Sequence, residues 1–308
     1  MSQEKTLPST LQSVAIEELF EIPSRIPDDL QALKLWIEQQ PHLTARTDDQ
    51  FLLQFLRGCK YSMERAKEKI ERFYTMKTKF PETLGIYDLD NERFRQVARL
   101  GCVAPLPIPL NGDGCRLVMG HFNYNPQEYR VEEIYHVGSA MYEIFLIDDP
   151  YACICGIINI VDMSQVTMAH LLHENANFLK TGIEFIESAM PLRNKAVYFV
   201  NVSPAAAQFF NFFIPLFSEK LRKRIFICST LEDLKQHIPL KYLPEYYGGE
   251  NGSMEHHIKA LKAKFDEYRE YFQDNVNYGV NESLRQEESS DVDKLFGLGG
   301  SFRKLEVD

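Results

Sequence analysis

The sequence predicts an α/β protein in which a helical N-terminal bundle precedes a mainly parallel sheet with helices packed on it. Three observations predict it. Amphipathic helical spacing fills residues 28–80. Two continuous apolar runs, Cys153 to Val161 and Ala196 to Val202, suit strands buried on both faces. Helical stretches alternate with these runs, which is the order of right-handed parallel crossovers. The division expected is 1–90 for the helical region, 91–274 for the α/β domain and 275–308 for an acidic tail.

Each element has a local reason. Asp28 and Asp29 follow Pro27 and open a helix through Leu30, Leu33, Trp36 and Ile37, which Pro41 ends. Thr47 with Gln50 reads as a capping box before Phe51, Leu52, Phe55 and Leu56, and Gly58 closes that helix. Ser62 can cap a third helix, whose stripe is Met63, Ala66, Ile70, Phe73 and Tyr74. Val103 to Leu110 alternates with prolines, as an edge strand tolerates. Asn111-Gly112-Asp113-Gly114 is a turn, and Cys115 to Phe122 returns as a strand. A helix from Val131 to Ile147, a long helix from Thr167 to Ala189 and a short strand from Ile225 to Cys228 complete the pattern. From about Asn275 the stretch SLRQEESSDVDK reads as a mobile tail, with Leu295, Phe296, Leu298 and Phe302 beyond it as apolar residues able to dock on the body.

Composition narrows the function. At 308 residues, 44% hydrophobic and 25% charged, the chain can bury a substantial core. A net charge of -10 disfavours nucleic acid as a partner. MSQEKTLPST lacks the features of a secretory signal, no apolar run reaches membrane-spanning length, and neither end carries a lipidation motif. The expectation is a cytoplasmic monomer that meets membranes transiently. The six cysteines read as reduced; Cys153 and Cys155 share a strand face but have no second Cys/His pair. His170 and His173 supply at most half a metal site and read as satisfied or solvent-facing side chains. With no G-x-S-x-G, P-loop or H-E-x-x-H motif, no catalytic residue, metal or cofactor is expected.

The segment from Met190 to Arg224 runs against this acidic background. Arg193 and Lys195 open it, Lys220, Arg222, Lys223 and Arg224 close it, and a phenylalanine-rich stretch lies between. Residues 220 and 224 share a helix face, and 193 and 195 point the same way on an extended chain. Cations beside greasy residues suit an acidic membrane surface and an oily guest.

Three segments together resemble the CRAL-TRIO (Sec14-like) lipid-binding family, in its α-tocopherol-transfer-protein-like branch. They are DDQFLLQFLRGCKYSMERAKEKIERFY, GIINIVDMSQVTMAHLL, and PLRNKAVYFVNVSPAAAQFFNFFIPLFSEKLRKRI followed by LPEYYGGENGS. The resemblance spans residues 25–270. It implies a sheet flooring a closed apolar cavity, a mobile gate helix, a bound hydrophobic lipid in place of any cofactor, and no catalysed reaction. It also implies a phosphoinositide headgroup site at Arg193, Lys195, Lys220 and Arg224. By position in the family pattern, Tyr135, Tyr142, Ile157, Val161, Phe185 and Leu192 would wall the cavity. The gate would span Ala205 to Phe217, with Phe209, Phe213 and Phe217 on one face and Phe210 and Ile214 broadening it. Two departures stand out: Ile214 precedes Pro215 where relatives commonly have Lys, and Cys228-Ser229 replaces a common His-Gly. The cargo expected is tocopherol-, retinoid- or carotenoid-like, released at phosphoinositide membranes. The alternative is a phosphoinositide-binding trafficking adaptor without a shuttled cargo.

Overall fold

The computed structural model describes residues 7–172, 175–203, 206–207, 210 and 214–285. Helices α1 (Ser9–Leu19), α2 (Ile26–Glu38), α3 (Asp49–Gly58), α4 (Met63–Lys79), α5 (Pro81–Leu84) and α6 (Glu92–Leu100) come first. A two-residue strand β1 (Leu43–Thr44) interrupts them. Strands β2 (Val103–Pro105), β3 (Arg116–His121), β4 (Ile157–Asp162), β5 (Asn194–Val200) and β6 (Ile225–Cys228) form one sheet in chain order. Strand β2 pairs antiparallel with β3, and the other neighbours are parallel. Pro105 and Pro107 confine β2 to the edge, where a missing N–H is harmless. Between β3 and β4 run α7 (Val131–Asp148) and α8 (Pro150–Ile154); between β4 and β5 run α9 (Met168–Leu172) and α10 (Ala176–Glu184). No helix among the described residues is long and apolar enough to cross a membrane.

Several local expectations need correcting. Helix α1 was not anticipated; its Leu11, Ala15 and Leu19 bury against Ile154 and Cys155. The α3 cap is Asp48, whose carboxylate accepts from the Phe51 N–H at 2.9 Å, so Thr47 and Gln50 form no box. The run from Cys153 is not all strand. Pro150 starts a helical turn that carries Cys153, and Gly156 at φ +91° reverses the chain before β4. A Cβ at Gly156 would also lie 2.6 Å from the Arg193 carbonyl oxygen, so this corner needs glycine twice over. The helix expected over 167–189 divides into α9, α10 and a wider π turn at Phe185–Ala189. The tail does not begin at residue 275. Asn275 is buried, β7 (Gly279–Val280) pairs with β1, and Arg285 meets Glu71 at 2.5 Å. Residues 286–308 lie outside the described residues.

Helices and sheet share one core. Phe51, Phe55 and Phe73 pack in the same apolar cluster as Val118 of β3, Ile144 of α7, Ile157 of β4 and Phe185. The end of α3 comes so close to the loop before β5 that a Cβ on Gly58 would lie 2.2 Å from the Pro191 carbonyl oxygen. That approach brings the N-terminal helices onto the segment where the cations cluster.

A candidate functional site: a cationic cleft beside an apolar cavity

Arg193, Lys195, Lys220 and Arg224 line one cleft of about 600 Å³. The opposite wall is α3–α4, which adds Lys60, Arg65, Lys69 and Arg72. Eight cations therefore face four carboxylates (Glu18, Glu68, Glu184 and Glu187). The α4 contribution was missed in the sequence. Arg65, Lys69 and Arg72 do sit at one-turn intervals, but a helical charge row is commonly a solvated face, and only the Gly58–Pro191 approach makes it a wall.

The cations are held in different ways. Arg193 donates to the Ile154 carbonyl at the end of α8. It is half-buried, and burial pulls its pKa down. Lys195 lies 3.4 Å from Glu18 of α1. Arg224 donates to the Asn194 carbonyl at 2.5 Å, which fixes its stem beside β5. Lys220 is exposed and has no hydrogen-bond or ion-pair partner among the described residues. Lys69 reaches the carbonyls of Glu187, Ser188 and Met190 at 3.4, 3.0 and 3.2 Å, closing off the π turn. Burial, with Arg72, Lys220 and Arg65 nearby, pulls the Lys69 pKa down to about 8, against a smaller opposing pull from Cys59.

Behind the cleft lies a smaller apolar cavity of about 110 Å³. Ile186, Met190, Leu192, Asn194 and Leu221 border both spaces. Of the residues expected to wall a cavity, Tyr142, Ile157 and Leu192 do so. The other three are elsewhere. Phe185 packs on Phe73 in the helical core, with centroids 5.4 Å apart, because the π turn rotates it there. Tyr135 packs edge-on against Phe178 and donates to the Gly182 carbonyl at 3.4 Å; burial pushes its pKa up to about 12. Val161 shares the Ile157 and Asn159 face of β4 but sits four residues beyond Ile157 along the strand, where it packs on a separate cluster of Met163, Val166, Ala206 and Phe210. Ser139, Asn159 and Asn194 supply polar points in the cavity wall. The Tyr142 hydroxyl donates to Asn159 at 2.5 Å, and the Asn159 amide donates to Asn194 at 3.1 Å.

The expected gate is partly described. Phe210 is buried edge-on against Phe199, with centroids 4.4 Å apart, and Ile214 packs on the same cluster. Ile214–Leu216 is a 3-10 turn, and Phe217 reaches the apolar cavity. Phe209 and Phe213 lie outside the described residues. His170 is a satisfied core side chain: its Nδ1 accepts from Thr167 and its Nε2 donates to the Tyr124 carbonyl at 3.1 Å.

An apolar cavity sharing its wall with a cationic cleft on an α/β scaffold defines a lipid-binding class of protein. Comparison with known proteins agrees with that class. Residues 114–249 match the CRAL/TRIO domain and residues 22–94 the Pinta-like UBA domain, so the α/β part of this chain resembles the lipid-binding CRAL-TRIO domain. It is 28% identical over 253 residues to human alpha-tocopherol transfer protein-like, covering 81% of this chain and 73% of that protein. It is 26% identical over 283 residues to mouse clavesin-2, covering 89% and 85%. Among solved structures it is similar to Sfh5, with 13% identity, a TM-score of 0.49, and coverage of 85% of this chain and 99% of that one.

Proposed function

We propose that this chain carries a hydrophobic small molecule of tocopherol, retinoid or carotenoid type and releases it at phosphoinositide-containing membranes. Arg193, Lys195, Lys220 and Arg224 would hold the headgroup, with Lys69 and Arg72 opposite. The observation that carries this reading is the shared wall: Ile186, Met190, Leu192, Asn194 and Leu221 line both the cationic cleft and the apolar cavity. Multiply charged phosphates suit such a cluster, since Arg forks and Lys point charges are their usual ligands. The energetic difficulty for a shuttle is release. A cationic cleft beside the exit lets a target membrane bias that step.

One observation favours the adaptor reading. The apolar space of about 110 Å³ is well below the roughly 300–1,000 Å³ of pockets for drug-sized ligands, so an isoprenoid guest requires Phe217 and its neighbours to move outward. Mass spectrometry of lipid co-purifying with the full chain decides between the two. A stoichiometric apolar molecule, lost in Ile157→Phe, supports the shuttle. Protein that arrives empty and still binds phosphoinositide vesicles supports the adaptor.

A further inference from the structure

Cleft and cavity meet at Ser218. Phe217, just before it, lines the apolar cavity, and Lys220, just after it, lines the cleft. The Ser218 hydroxyl accepts from the Leu221 N–H at 3.1 Å and so caps the short helix Glu219–Arg222. Ser218 is itself held by Glu187 of the π turn. That carboxylate accepts from the Ser218 N–H at 3.3 Å and from its hydroxyl. Glu187 also lines the cleft, and Lys69 holds its carbonyl from the other side. A carboxylate within a cationic cleft thus ties down Ser218, whose neighbour Phe217 lines the cavity.

We infer that Glu187 is a charge-sensitive clasp that couples the cleft to the cavity. With the cleft free of polyanion, the Glu187 carboxylate keeps Ser218, hence Phe217, in place. A multiply charged phosphate entering the cleft draws the same cations to itself and repels Glu187. The bonds to Ser218 weaken, the 214–218 turn is freed, and the cavity can open. The clasp makes release depend on charge number. A headgroup with several phosphates displaces Glu187, whereas a singly charged one competes poorly. The inference rests on the headgroup role proposed above.

Hydrogen–deuterium exchange of the amides at 214–222 in the full chain, with inositol hexakisphosphate as the probe, tests it. In the wild type these amides should exchange about tenfold faster when the probe is bound, the change expected from losing hydrogen bonds to a charged acceptor. Glu187→Ala should show the fast rate without probe and respond little to it. Glu187→Gln keeps an acceptor but carries no charge to repel, so its basal exchange should stay near wild type while its response disappears. A Glu187→Ala rate within twofold of wild type overturns the clasp. A full response in Glu187→Gln overturns the electrostatic displacement. Should the probe leave wild-type residues 193–195 and 220–224 unchanged, the headgroup reading fails, and displacement with it. The clasp is then judged by the Glu187→Ala basal rate alone.

Discussion

Two charged clusters of this molecule, both reached by α1, are built to opposite ends. Just beyond α1, Glu21 is fully enclosed: Arg57 donates to it at 2.8 Å, Tyr61 at 2.7 Å and Gln12 at 2.9 Å. Burial would push the Glu21 carboxyl up, but these donors outweigh it and hold its pKa below the usual carboxylate range. Charge and hydrogen bonds close on themselves there. In the cleft, one turn earlier on the chain, Glu18 meets Lys195 at 3.4 Å while eight cations face four carboxylates. The first cluster is complete and holds structure. The second is short of negative charge, and that shortage is what recommends it as a binding site.

The comparison can be broken at either cluster. The largest effect should come from Arg57→Ala, which leaves Glu21 buried without its partner; a loss of about 3–5 kcal/mol in chemical denaturation is expected. A loss under about 1 kcal/mol would mean that water replaces the pair. The double variant Lys220→Ala with Arg224→Ala should change stability by less than about 1 kcal/mol, since both residues are at least partly solvated. Its affinity for phosphoinositide vesicles should nevertheless fall about thirtyfold, at roughly 1 kcal/mol per cation. Equal losses of stability and affinity would make the cleft a structural element like the Glu21 cluster.

The smallest effect is in pH and has two opposite signs. Lys69 in the folded chain has a pKa of about 8, below its ordinary 10.5, facing Cys59, Arg65, Arg72 and Lys220. Between these values the unfolded chain binds more protons than the folded one, so the Lys69 contribution to stability rises with pH across that window. A polyanion prefers charged Lys69, so vesicle affinity should fall over the same interval. Melting temperature and vesicle binding measured from pH 7.5 to 9.5 should diverge. If they move together, Lys69 is no part of the anion site.

The fold was legible where periodicity is unambiguous. Strand β6 lies where its apolar run places it, and α7 extends a single residue beyond Ile147. The misses were made by backbone geometry that residue type hides. Gly156 converts half of an apolar run into a corner, and the π turn swings Phe185 out of the cavity and into the helical core. One half of the cleft was legible, because Arg193, Lys195, Lys220 and Arg224 fall within one short segment. The other half was not, because Lys69 comes from a helix more than a hundred residues earlier, brought there by packing that no local pattern announces. Nothing in the local pattern marks Glu187, whose partner Ser218 lies 31 residues further along the chain.

The contact of Gly58 with Pro191 carries a consequence for how occupancy would be felt. Because the two sides of the cleft are contributed by segments far apart along the polypeptide, neither fragment alone can assemble the receptor. A polyphosphate bridging them would act as a staple across the whole tertiary structure. At a hundred times its dissociation constant it would raise the free energy of unfolding by about 2.7 kcal/mol.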